Sequence, residues 1–416
     1  MRKRSLLAII ATCCFGCTGE DAGQLAGLEV VFDGDGFADG RVSVRVPSRF
    51  TPGGVVAGPD GSLFIHGHAA GDGNDAAPNG HNVVIELRPD GRPDDTFGDG
   101  GVFALGEARD GFVDLAVLPD ASTVALGSIN GRPAAWKLTA DGILDESFGE
   151  HGLVEIDVDG SNDDSARPIA VAIRDDSSLD IVGMKVTDDS GHPFAARVSP
   201  TGAVEVARTF SSVPDTWRGV LTDGSGSTLV FGERSTATGV QPLVGRLTGA
   251  LELDTAFGPD GYARVGAVES DCRELVELPG GGFAAAGSRG QGATFAGAVL
   301  MLTPEGDLDP SFDGDGHLAI DEDSVFAVVP LASGGLLAQL QSTSGTPEPP
   351  EYVVRITAGA IDPSFADAGR STGSGVAFGL ATTAAGESYA AAIEWPDTVY
   401  VRRISSAARR SRIRSQ

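Results

Sequence analysis

Few residues in this chain have the types and spacing that chemistry demands. Phe32-Asp33-Gly34-Asp35-Gly36 and Phe312-Asp313-Gly314-Asp315-Gly316 each set two carboxylates one residue apart among glycines. Ca²⁺ takes its oxygens from closely spaced Asp side chains and carbonyls, so Asp33, Asp35, Asp313 and Asp315 are the candidate metal ligands. Two Asp per loop fall short of a full ligand shell, and neither loop continues into an Asp-x-Asp-x-Asp-Gly run ending in Glu. Turn geometry accounts for the same residues without a cation. His66 and His68 share one face of a strand, but no third ligand accompanies them. His81, His151, His192 and His317 are scattered through loops. No Gly-x-Ser-x-Gly, His-Glu-x-x-His or phosphate loop occurs. The sequence therefore assigns no catalytic and no cofactor-binding residue.

The cysteines speak of location rather than chemistry. Three of the four, Cys13, Cys14 and Cys17, lie near the N-terminus behind Arg2-Lys3-Arg4 and the apolar stretch Leu6 to Ala11. A basic region followed by so short an apolar core is an export signal, not a permanent span. Cys14-Phe15-Gly16-Cys17 resembles a lipobox with Gly before the lipidated Cys, although Cys14 stands where Leu is usual. Residues 1–17 are thus expected to be a lipoprotein signal with Cys17 as the lipidation site, and 18–27 a tether. That places the body in the cell envelope, held at the outer membrane. Cys272 is alone in the body, so no disulfide framework supports the fold. A buried small hydrophobe is its expected role.

One stretch organises the rest: Ala140-Asp141-Gly142-Ile143-Leu144-Asp145-Glu146-Ser147-Phe148-Gly149-Glu150-His151-Gly152. Copies end at Phe97, Phe257, Phe312 and Phe365, and weaker ones at Phe32 and Phe210. The first and last of these phenylalanines are 333 residues apart over six intervals, which sets a period near 55. A repeat of this length means a solenoid, propeller or array, because one unit cannot bury its apolar face alone. Asp-Gly supplies a turn, and the Asp after Leu can accept a backbone N–H two residues on, turning the chain so that Phe points inward. A residue needed once for chemistry would not recur in every unit, so the motif is structural.

A short apolar strand precedes each motif, such as Val83-Val84-Ile85-Glu86-Leu87 or Tyr352-Val353-Val354-Arg355-Ile356. Hairpin signals such as Val55-Val56-Ala57-Gly58-Pro59-Asp60-Gly61-Ser62-Leu63 lie mid-unit. Four short strands per unit and no amphipathic helix predict an all-β fold. The motif and its preceding Pro-Asp-Gly hairpin resemble the delta-60 repeat family of bacterial exported proteins, over about Leu28 to Ile404. That resemblance implies a β-propeller-like surface protein and carries no catalytic residues. Seven units predict a seven-bladed β-propeller over 28–404, whose two ends meet to complete one junction, followed by a basic tail at 405–416. Insertions at 70–80 and 343–350 are expected on a binding face.

The formal net charge is −28, from 30 basic and 58 acidic residues. Six arginines fall in the last 15 residues, which hold no acid, so the body is more acidic still. Such a body argues against nucleic acid as a partner. The expected function is a monomeric, lipid-anchored binding or scaffold propeller with a protein or glycan partner on its loop face. The alternative is a propeller enzyme of the quinoprotein dehydrogenase or metal-dependent lactonase type. Such an enzyme would show polar residues breaking the apolar pattern in one strand of several units.

Overall fold

The computed structural model describes residues 30–404 apart from 34–35, 47–48, 71–79, 107–111, 130, 161–164, 188–189, 211–214, 238, 267–269, 292–293, 321–322, 343–350, 367–368 and 395–396. The signal, lipobox, tether, basic tail and most of both insertions lie outside the described residues. What is described is a seven-bladed β-propeller of antiparallel, mostly four-stranded blades.

Blade 1 consists of Phe50–Ala57, Leu63–Ala69, His81–Leu87 and Val102–Gly106, from the channel outward. Blades 2, 3, 5 and 6 repeat this order, with inner strands Asp114–Val117, Ala166–Ile173, Glu274–Glu277 and Asp323–Pro330. Blade 4, with inner strand Asp215–Thr222, pairs three strands, and a bridge from Gly245 to Tyr262 stands in for the fourth. Blade 7 closes the ring. Its three strands, Val376–Thr382, Ser388–Glu394 and Thr398–Ile404, take their outer neighbour Arg41–Arg45 from the other end of the chain, followed by Val31–Asp33. The expected meeting of the two ends is therefore a strand pairing, with Val42 opposite Val401.

Each blade packs its two faces against two neighbours, so its middle strands are buried on both sides. They read as continuous apolar runs, and Leu63-Phe64-Ile65 and Val83-Val84-Ile85 are wholly buried. The cores lie between blades: Phe148 joins Leu126 of blade 2 to Val171, Ile181 and Phe194 of blade 3.

The repeat motif builds those junctions. The amide of Ser147 donates to Asp145 Oδ1 at 3.0 Å, and the same bond recurs at Thr96, Ala256, Ser311 and Ser364. A base on the third strand grips the other oxygen: Lys137 reaches Asp145 at 3.0 Å, and Arg246 and Arg355 reach Asp254 and Asp362 at 2.8 Å. Each of these cations also lies over the motif ring, 6.0, 4.8 and 5.4 Å from Phe148, Phe257 and Phe365. The Phe-Gly end then docks on the Asp-Gly of the next unit, as Gly98 N donates to Asp141 O at 2.7 Å. Gly142 has φ +69°, and a Cβ there would sit 2.8 Å from the Phe97 ring, so only glycine fits.

Two junctions depart from the expected series. Phe32 lies in the added strand Val31–Asp33 and is only half-buried. The ring that fills the first junction is Phe37, 8% exposed, whose amide donates to Asp90 O at 2.7 Å. Phe210 is also half-buried and packs on Trp217, 4.7 Å between ring centres, because its worn motif lacks the following Gly-x-x-Gly.

Candidate functional site in the central channel

The seven inner strands carry equivalent positions beside the axis, fixed by their pairing with the second strands. Opposite His66, Leu126, Val182, Phe231, Ala286, Gln339 and Ala391 stand Gly54, Asp114, Ala170, Gly219, Glu274, Ala327 and Gly379. Five are glycine or alanine. Asp114 and Glu274, in blades 2 and 5, are the exceptions.

Asp114 is held in place by backbone. Its Oδ1 accepts its neighbour Leu115 N at 2.9 Å, and its Oδ2 accepts Val171 N of blade 3 at 2.9 Å. The inner strand of blade 3 pairs on its outer side only, so Asp114 satisfies a donor that faces the axis. Glu274 lies within electrostatic reach of Asp114 although two blades separate them along the ring. Both side chains keep partial access to solvent along the channel while protein encloses them. That enclosure shifts their titration. Burial raises Asp114 to about 6, with the Val171 and Leu115 amides pulling the other way. Burial also raises Glu274 to about 8, and the Asp114 charge adds to the rise. Near neutrality Asp114 is ionised while Glu274 keeps its proton. One site thus holds a hydrogen-bond acceptor with a charge beside a hydrogen-bond donor.

The residues singled out from sequence do not gather here. Asp313 and Asp315 are exposed in a turn, and Asp315 Oδ1 accepts His317 N at 2.9 Å. The side chain of Asp33 and all of Asp35 lie outside the described residues. His66 is 2% exposed beside Gly53 and Gly54, where burial pushes it down to about 4 against the pull of the Phe112 carbonyl. His68 Nδ1 contacts Asn82 Oδ1 at 3.2 Å. Among the described residues no group of three or more His, Cys, Asp or Glu is placed to hold a metal. Cys272 is buried as expected, its thiol at 3.4 Å from the Glu274 carbonyl and pushed far up by that burial.

Asp114 and Glu274 escaped the sequence reading, yet a signal for them exists. Each lies four residues before the leucine that opens its turn, Leu118-Pro119-Asp120 and Leu278-Pro279-Gly280. Phasing the units on those turns, rather than on the Phe motif, brings the two acids into register with Gly and Ala.

No family model and no curated protein matches the sequence. Among solved structures, the chain is similar to a glucose dehydrogenase at 9% identity, covering 71% of this chain and 96% of that one with a TM-score of 0.42. A Dyadobacter fermentans protein of unknown function is similar at 8% identity over 86% and 96%, with a TM-score of 0.43. A putative oxidoreductase (glucose dehydrogenase) from Thermus thermophilus is similar at 15% identity over 70% and 95%, with a TM-score of 0.44. Similarity at this level assigns no chemistry.

Proposed function

We propose that the protein is an exported, lipid-anchored binding propeller that takes its ligand in the central channel between Asp114 and Glu274. The observation that carries this is the pair itself: two acids at a level where the other five blades present glycine or alanine. The five small residues are packed, since a Cβ at Gly219 would lie 2.0 Å from the Phe231 ring and Ala170 and Ala327 are buried, so the two carboxyls are what the level offers a ligand. A ligand with an ammonium or guanidinium group, free or as the side chain of a protein partner, donates to the Asp114 carboxylate and, by favouring loss of the Glu274 proton, to both acids. An acidic body steers such a ligand towards the channel. The basic n-region and Gly16-Cys17 support the lipid anchor at Cys17, with the body a monomer facing the periplasm or the exterior.

Calorimetric titration of the body with a panel of primary amines and guanidines tests the binding reading. Binding that falls at least tenfold in both Asp114→Asn and Glu274→Gln supports it, and a panel with no binder at millimolar concentration overturns it. Cys17→Ser tests the anchor separately. One acyl chain holds a protein only marginally, so loss of the modified Cys releases the body into the soluble fraction. Continued membrane association would sink the anchor and turn attention to the arginines at 409–414.

The propeller-enzyme reading has one specific observation in its favour, the unequal proton affinities of the same two acids. A base that is charged at neutral pH beside an acid that is not is the arrangement of general acid–base chemistry. A turnover screen whose pH profile has limbs near 6 and 8, both lost in the two variants, would select the enzyme over the receptor.

A further inference from the structure

The ring closes at one seam, and the seam rests on an irregular unit. The turn from Arg88 to Gly101 receives Phe37 of the N-terminal segment: Phe37 N donates to Asp90 O, and Gly91, at φ +83°, would put a Cβ 2.7 Å from the Phe37 ring. The same turn is anchored to its own blade through Glu86, whose carbonyl accepts Asp94 N at 3.1 Å and whose amide donates to Gly101 O at 2.9 Å. In blades 2, 4 and 6 the residue at this position is Lys137, Arg246 or Arg355, and it grips the motif Asp. Blade 1 has an acid there instead. Glu86 is 6% exposed. It faces Asp94 from the turn, and Asp60 and Ser62 from the hairpin joining the first two strands. Arg88, two residues on, points away to Asp95 at 3.4 Å.

We propose that Glu86 is a proton-operated latch on the ring-closing seam: protonated, it lets the turn seat on Asp94 and hold Phe37, and ionised, it repels Asp94 and loosens the turn. Burial first, and then the Asp94 charge, raise Glu86 from 4.5 to about 7. The fold therefore prefers the protonated form. Its contribution is full below the unfolded value near 4.5, is lost as pH rises through 7, and is level beyond. The N-terminal segment, where the lipid anchor is expected, thus grips the propeller more firmly in acid. This latch is independent of any ligand in the channel.

Hydrogen exchange of the full body at pH 5.5 and 8.5, corrected for intrinsic rates, reads the latch directly. Amides of residues 94–101 and 37–45 are expected to exchange at least about tenfold faster at the higher pH. The equivalent turn of blade 4, where Arg246 holds the position on Asp254, serves as the control and should not respond. Glu86→Gln should flatten the difference, and Glu86→Lys, which copies Lys137 on Asp145, should keep the turn protected at pH 8.5. If Glu86→Lys fails to fold, Glu86→Gln alone decides. An unchanged pH response in Glu86→Gln, or an equal response in the blade 4 turn, overturns the proposal.

Discussion

An acid in place of glycine or alanine at a channel position costs the fold something, and pH measures that cost. Asp114 and Glu274 both titrate above their ordinary values, so each favours the folded state most when protonated. Stability should be greatest below about pH 4 and fall as pH rises through 6 and then 8. Solvent in the channel screens part of this. Between pH 5 and 9 urea unfolding of Glu274→Gln should therefore lose about 1–2 kcal/mol less than the parent does. An identical slope in both would mean that Glu274 is solvated like a surface acid. Asp114→Asn keeps an oxygen for the Val171 amide and should fold, whereas Asp114→Ala leaves that donor without its acceptor and should cost about 1–3 kcal/mol. Neither acid was legible in the unphased sequence, because what marks them is register across blades rather than any local pattern. The Asp residues that were conspicuous, such as Asp313 and Asp315, are conspicuous because turns favour Asp and Gly.

At the scale of one motif, three interactions share a few residues. Phe148 fills the space between blades 2 and 3, Asp145 fixes the turn that aims it, and Lys137 binds both. Phe148→Ala should cost about 3–5 kcal/mol, since its ring is buried between two sheets that cannot readily collapse. Asp145→Ala should cost about 0.5–2 kcal/mol, as for a lost capping bond. Phe210→Ala should cost less than Phe148→Ala, because Phe210 is half-buried on Trp217; thermal melts of the three variants rank them. The sequence made the ring of seven legible through this motif, because turn residues and a buried ring recur wherever the same junction recurs. It misplaced one junction for a physical reason. Phe32-Asp33-Gly34 copies the motif spelling, but that segment has to supply an added strand to blade 7, so the turn and its ring are displaced to Gly36 and Phe37. The role of the third-strand base was also hidden, since Lys137, Arg246 and Arg355 read as solvated strand residues until the motif Asp is seen folding back to them.

For the whole molecule the decisive contact is the pairing of Arg41–Arg45 with Thr398–Ile404, which joins segments about 360 residues apart and covers the outer edge of Thr398–Ile404. Without it, Thr398–Ile404 would present unpaired backbone groups to other chains. A covalent test follows from the register. Val42 and Val401 are directly opposed and 2% and 0% exposed, so Val42→Cys with Val401→Cys places two thiols across the seam. Closing so long a loop removes chain entropy from the unfolded state, by about 6 kcal/mol in the ideal case and less if the geometry is strained. Cys272 is buried and will not compete for the new thiols. The oxidised double variant, made in a body that begins after residue 17, should melt several degrees above its own reduced form. That comparison cancels the cost of replacing two core valines. Raising the pH should loosen the reduced form through Glu86, while the oxidised form, whose seam no longer depends on that turn, should keep residues 37–45 protected. A disulfide that fails to form under oxidising conditions would show that the ends of this chain do not meet where the pairing puts them.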